Sequence, residues 1–314
     1  MTKTFPNNNI NKIFPALPRT YLQKHIMQVK KEWQLRWDKV LVLKKSFVPY
    51  VSKSEDEVYK EFAVLNHFRQ RLWYEDPEAN PRITKEDYLP AQTLLEKGLY
   101  RRSSNIAFEY NKTSPYYNAS TILFQDHHFI ALQEPSAETL DQFFTLLINN
   151  HVSALVRVKS EKEVLGIDSI NYWKDHISGQ SLHTILKITI KEEHSAVSLI
   201  SLPYFYTNEW VDDNALEPAA LYQLVNHVRK AYKEILKKGP IACHCASGVG
   251  RTGTFIAAFI IAEHIESFPK SPFSIEEIVL KLSIQRPNFV ATREQYYSLY
   301  KFADYCFLKF HSKN

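Results

Sequence analysis

Apolar residues at Val58, Phe62, Leu65, Phe68 and Leu72 follow one another at spacings of four and three, which sets them on one face of a helix. Ser54-Glu55-Asp56-Glu57 stands directly before them as a capping box, so a helix is predicted from about 55 to 74 with one side buried. From Tyr21 to about Lys45, Leu, Ile, Val and Trp alternate with many Lys and Arg, and a basic helix is expected there. Leu140, Phe143, Phe144, Leu147 and Ile148 mark another. Pro218 opens a further one, whose stripe of Leu221, Leu224, Val225, Val228, Tyr232 and Ile235 ends at Gly239 and Pro240. Phe255 to Ile265 is apolar nearly all round and reads as a buried helix. Ser274 with Glu277 caps the next, and Thr292 to Phe307 forms the last.

Between the helices lie short runs without that period. Phe129–Leu132, Ala154–Val158, Leu186–Ile190 and Val197–Leu202 read as strands. The sum is an α/β (α+β) fold, a central mixed twisted sheet flanked by helices. Residues 1 to 20, rich in Asn and Pro, are expected to be irregular. The breaker Asp76-Pro77-Glu78-Ala79-Asn80-Pro81 suggests a helical N-terminal extension over 1–90 and a larger domain over 91–314.

Composition narrows the class. With 45% hydrophobic and 13% aromatic residues, the chain has ample material for a core. A net charge of +5 suits an acidic substrate or a membrane surface and is too small to point to nucleic acid. Three cysteines, two nearly adjacent, exclude a disulfide scaffold and suggest a reducing compartment. The N-terminus has no apolar signal core, and the longest apolar run, Phe255 to Ala262, is far too short to cross a bilayer. A soluble, cytoplasmic protein is expected, or one acting in the cytosol of a host cell if it is a secreted effector.

Three of the seven glycines and two of the three cysteines crowd into His244 to Thr254 with Cys243 just before it. A strand, a glycine-rich loop and a helix N-terminus make an anion cradle of Ala246, Ser247, Gly248, Val249 and Gly250. Positive φ, which Gly248, Gly250 and Gly253 permit, would turn the loop amides toward one centre. Cys245 and Arg251 stand at the two ends, a nucleophile and a planar clamp for phosphoryl oxygens. A free thiol ionises near a pKa of about 8.5, but helix dipole, amides and guanidinium all favour the thiolate. Thr252 is placed to donate its hydroxyl to the sulfur. The run also matches a dinucleotide fingerprint, but too little chain follows for that fold, and no Lys-Ser/Thr completes a Walker loop. Cys243 and Cys306, in apolar surroundings, read as inert core residues.

His244-Cys245, five residues, then Arg251-Thr252-Gly253 resembles the signature of the cysteine-dependent protein tyrosine phosphatases. Tyr116-Tyr117-Asn118-Ala119-Ser120 is similar to that family's Tyr-Ile-Asn-Ala-Ser, and Phe129-Ile130-Ala131-Leu132-Gln133-Glu134-Pro135 to its Tyr-Ile-Ala-Thr-Gln-Gly-Pro. Tyr172-Trp173 and Gln285-Arg286-Pro287 with Thr292 and Gln295 also match, in order, over roughly 95 to 310. The resemblance implies a two-step mechanism on phosphotyrosine proteins, with no cofactor and no metal: Cys245 takes the phosphoryl group and water releases it. It implies that Asp212, in Trp210-Val211-Asp212, is the general acid, with Asp213 its close alternative, and that Glu163 orients Arg251.

Some positions depart from the family. Val211 replaces a hinge proline. Ala291 stands where a water-positioning glutamine is usual, leaving Gln295. Ser103, in Arg101-Arg102-Ser103-Ser104-Asn105, replaces an aromatic pocket wall, and Glu134 replaces a glycine. Two alternatives therefore stay open: the same chemistry on phosphoinositides or phosphoserine/threonine, and a phosphate-binding pseudophosphatase with little turnover. The basic extension is a candidate membrane or protein contact, against an ordinary solvated helix that buttresses the domain.

Overall fold

Alternate residues of each inner strand face opposite cores, which is why the strand runs are apolar almost throughout. Ala154, Val156 and Val158 join one cluster of buried side chains, and Leu155 between them joins another. A computed structural model describes residues 19–44, 46–74, 117–137, 139–160, 163, 172, 183–192, 195–235 and 239–311. Outside these lie residues 1–18, the breaker at 76–81, the expected division at 90, Ser103 and its neighbours, Tyr116 and Trp173.

The described elements run α1 (Arg19–Leu43), α2 (Glu55–Tyr74), β1 (Ala119–Phe124), β2 (His127–Leu132), α3 (Leu140–Asn149), β3 (Ala154–Val158), β4 (His183–Glu192), β5 (Ser195–Thr207), α4 (Pro218–Glu234), β6 (Ile241–His244), α5 (Gly250–Ser267), α6 (Ile275–Ser283) and α7 (Arg293–His311). The strands form one sheet in the order β1-β2-β6-β3-β5-β4. Its middle, β2-β6-β3-β5, is parallel, and β1 and β4 add antiparallel edges. The fold is thus α/β with a mixed, helix-flanked sheet, as the hydrophobic pattern predicts. β1 is the strand the pattern does not announce: all six of its residues are buried, so no alternation marks it, and Ser120 and Thr121 break the apolar run that gives away the equally buried β3.

Helix α3 covers one face with Phe143, Phe144, Leu146 and Leu147. The other face carries α5 at its centre, surrounded by α1, α2, α4, α6 and α7. The two N-terminal helices share this core: Trp37, Val40, Val58, Phe62 and Leu65 pack into the same cluster as α5 and α7. The capping box closes α2 as the sequence requires. The Ser54 amide donates to Glu57 Oε2 at 2.9 Å, and the Glu57 amide to Ser54 Oγ at 3.4 Å. No helix among the described residues is long and apolar enough to cross a membrane.

In register, Leu132, His244, Arg157 and Tyr206 lie side by side across the four parallel strands. The chain therefore leaves all four strands at one edge, the carboxyl side, where open α/β sheets build their sites.

Candidate active site

Cys245 follows β6 directly, and α5 begins five residues later, so the loop between them is forced into a tight arc at the amino end of a helix. Gly248 makes the arc possible: its φ is +68°, and a Cβ there would lie 2.1 Å from the Leu132 carbonyl oxygen. Gly250 and Gly253 serve differently from the expectation of positive φ. Both are helical, and it is close approach that needs them. A Cβ on Gly253 would lie 2.6 Å from the Val290 nitrogen, and one on Gly250 would press on Gln295 and Ala291.

Cys245 is 1% exposed, and the Gly248 amide donates to its Sγ at 3.2 Å. Burial alone would raise its pKa, but the Arg251 charge, the Thr252 side chain and amide, and the Val249 amide together bring it below the ordinary thiol value. The Thr252 hydroxyl is buried and closes no hydrogen bond among the described residues. Burial drives Cys243 well above the usual range and Cys306 up to about 12, so both stay neutral thiols. His244, also buried, is held neutral with a pKa near 3 by desolvation and the nearby Arg157 charge. Its Nδ1 faces the Cys245 carbonyl at 3.3 Å, which makes Nδ1 the protonated nitrogen and lets Nε2 accept from the Tyr172 hydroxyl.

Arg251, in the first turn of α5 and fully buried, would oppose the helix dipole without counter-charges. Two carboxylates supply them. Glu163 meets the guanidinium as a fork, with Nη2 to Oε2 at 3.1 Å and Nη1 to Oε1. Asp212 Oδ1 lies 2.7 Å from Nη2. The Trp210 carbonyl accepts from Arg251 Nη1 at 3.0 Å and from the Ser160 amide at 2.9 Å, and the fully buried Trp210 ring donates to the Asn214 carbonyl at 2.9 Å. Arg251 Nε is buried with no hydrogen-bond partner among the described residues. Asp213 is turned the other way: its backbone is left-handed at φ +57°, and its carbonyl accepts from the Thr292 hydroxyl at 3.1 Å. Of the two adjacent aspartates, it is Asp212 that reaches the guanidinium.

Gln295 closes the other side. Its Oε1 accepts from the Ala291 amide at 2.9 Å and the Thr292 amide at 3.4 Å, which sets the amide group against Gly250. The cradle residues Ala246, Ser247, Val249 and Gly250 complete the arc beside it.

Two residues named in the sequence make contacts that it did not foretell. Arg286, 1% exposed, donates to the Gly248 carbonyl at 2.7 Å and the Ser247 carbonyl at 3.0 Å. Its other donors reach Ser120 Oγ at 2.9 Å and Asn118 Oδ1 at 3.0 Å, pinning the loop's outer side to β1. Glu134, where the resembling family has glycine, is buried and ion-paired to buried Lys159, with Arg157 Nε 3.9 Å from its other oxygen. Its amide donates to the Ala246 carbonyl at 3.1 Å. Lys159, two residues beyond Arg157 at the exit of β3, was the available signal. Among the described residues, no group of His, Cys, Asp and Glu is assembled that could hold a metal ion.

A thiol of lowered pKa, a loop of converging amides and a buried guanidinium with a donor to spare define a site for an oxyanion next to a nucleophile. A family model for the protein-tyrosine phosphatases matches residues 100–305, and the chain belongs to that family. It is 27% identical over 209 residues to mouse (Mus musculus) tyrosine-protein phosphatase non-receptor type 20, covering 60% of this chain and 48% of that protein. It is 26% identical over 202 residues to tyrosine-protein phosphatase 2 of Dictyostelium discoideum, covering 58% and 52%. With rat (Rattus norvegicus) receptor-type tyrosine-protein phosphatase epsilon it is 29% identical over 209 residues, covering 60% and 29%. The chain spans about half the length, or less, of these curated relatives.

Proposed function

We propose that this chain hydrolyses phosphotyrosine in proteins through a cysteinyl-phosphate intermediate. The Cys245 thiolate attacks phosphorus in line, the bond to the phenolic oxygen breaks, and Asp212 gives that oxygen its proton. Water then attacks the phosphocysteine, losing a proton to Asp212 and releasing phosphate and the thiolate. Arg251 and the loop amides hold the equatorial oxygens throughout. Thr252 steadies the thiolate as leaving group, Glu163 keeps the guanidinium in plane, and Gln295 orients the water. No metal or cofactor enters these steps.

One observation carries this reading. The thiol favoured as thiolate by its surroundings sits in the same arc as an arginine whose Nε is buried and unpaired while its other nitrogens are fixed by Glu163 and Trp210. A buried unpaired donor is costly unless a ligand takes it, and a phosphoryl oxygen fits. The reading places the protein at work in a cytoplasm, against phosphorylated proteins.

The test is parallel turnover on phosphotyrosine peptides, phosphoserine peptides and phosphoinositides. Phosphotyrosine should be preferred, and Cys245→Ser should lose at least about a thousandfold in rate while still binding the peptide. Equal or better turnover of a phosphoinositide would move the substrate class to lipids, and an unchanged rate for the serine variant would end the mechanism.

A further inference from the structure

Arg69, near the end of α2, is 2% exposed and has no carboxylate partner among the described residues. Its guanidinium lies 5.3 Å over the Phe62 ring and donates to Asn66 Oδ1 on its own helix. Every other bond goes to the last residue of α6 or to the segment between α6 and α7. Nη1 reaches Ser283 Oγ at 3.2 Å and the carbonyls of Phe289 and, at 3.3 Å, Val290, and Nη2 reaches the Val290 carbonyl at 3.4 Å. A buried cation held only by neutral acceptors is an expensive way to anchor a helix, which an apolar side chain would do more cheaply.

The segment it grips is strained. Asn288 has φ +55° and Val290 φ +58°, and a β-branched residue in the left-handed region persists only where its surroundings enforce it. That strained turn is pressed against the catalytic helix, since Phe289 and Val290 are the atoms a side chain on Gly253 would strike. It also sets the next residue, Ala291, whose amide fixes the Gln295 carbonyl beside Gly250. Arg69 thus lies at one end of a short chain of contacts, through Val290 and Ala291, that ends on Gln295.

We propose that Arg69 is a positioning residue for the second chemical step: by holding the Phe289 and Val290 carbonyls, it keeps Gln295 where it orients the water that hydrolyses the phosphocysteine. This rests on the two-step reading above. With the family's usual glutamine replaced by Ala291, the placement of Gln295 has no second copy to fall back on.

Rapid-quench kinetics on the full chain with a ³²P-labelled aryl phosphate, the phosphoenzyme trapped by denaturation, reads formation and decay separately. Arg69→Met should leave formation within about twofold and slow decay by about tenfold or more, as expected for a misplaced group acting in one step. Arg69→Lys, which restores a charge and donors, should recover most of the decay rate. Should the methionine variant not fold, Asn66→Ala, which keeps the arginine but removes the acceptor that holds Nη2 on its own helix, should show the same split with smaller size. Proportional loss in both steps, or decay unchanged in a folded variant, overturns the proposal. Failure of the unaltered protein to trap any phosphoenzyme would instead overturn the two-step reading itself.

Discussion

Asp212 Oδ1 lies 2.7 Å from Arg251 Nη2, in a loop whose Trp210 carbonyl is hydrogen-bonded to the same guanidinium. The arginine side of this pair is fully buried, while the Asp212 side chain is 59% exposed. An ion pair so open to water contributes about 0–1 kcal/mol, so an arriving phosphoryl group can displace the carboxylate without large cost. The pair is therefore a parking place that keeps Asp212, the proposed acid, over the site.

Replacing Asp212 tests that role through the leaving group. Asp212→Ala should slow phosphoryl transfer from poor leaving groups by about a hundredfold or more, and far less from activated aryl phosphates that need no proton. The slope of log rate against leaving-group pKa is the measurement. An equal loss across the series would point to another acid, with Asp213 the first to examine.

Thr292 ties the acid loop to the amino end of α7. Its hydroxyl donates to the Asp213 carbonyl and accepts from the Gln295 amide at 3.2 Å, and with Val211 exposed in the proline position this is a restraint on the loop from outside it. Thr292→Val keeps the shape and removes the donor, and should lower the rate on poor leaving groups by about two- to tenfold, the worth of one hydrogen bond. Thr292→Ser should remain close to the parent. If valine and serine behave alike, the bond does not govern the loop.

The thiol chemistry carries a pH signature. Because the Cys245 pKa is lowered by Arg251, Thr252 and the loop amides against the opposing effect of burial, its thiolate persists below the ordinary thiol range and is lost only as pH falls through the depressed value. Iodoacetate should label this cysteine alone, since Cys243 and Cys306 are raised and buried. The midpoint of labelling rate against pH should lie below about 8.5 and move upward in Arg251→Met. The same sign applies to folding: the contribution of this group is present above its unfolded pKa and lost as pH falls through the folded one.

Glu134 predicts a different kind of outcome, one of stability. Its carboxylate is the partner of Lys159, both buried, with Arg157 alongside. Removing one member strands the others, so Glu134→Ala should destabilise the fold by about 3–5 kcal/mol in denaturant unfolding. Combining it with Lys159→Met should recover a large part of that loss. Strict additivity of the two changes would show that the charges are not coupled.

Local pattern went far with this chain. The capping box and spacing at 54–72, the proline-led stripe of α4 and the Ser274 cap that accepts from the Glu277 amide at 3.3 Å need only neighbouring residues to form, and they stand where the pattern puts them. β1 escaped because a strand buried on both faces has no polar alternation to betray it, and Ser120 and Thr121 interrupt the apolar run that marks β3. The partners of Arg69, Glu134, Lys159 and Arg286 escaped for another reason: a charge reads as surface until its partner is known, and these partners lie in other segments of the chain. Apart from Asn66 on its own helix, the Arg69 acceptors are some 214 to 221 residues away.

The sequence by itself determined the candidate nucleophile, the glycine loop and the helix that follows, because a strand, an arc and a helix amino end are local geometry and five residues separate Cys245 from Arg251. Only the tertiary structure decided what surrounds them. It brought Glu163, Asp212 and Trp210 onto one guanidinium from two strand exits, and assigned Gly248 to backbone conformation but Gly253 to close packing. It also set an arginine of an N-terminal helix against the turn that places Gln295. Those are contacts between distant segments, and they form only once the sheet has put its carboxyl ends side by side.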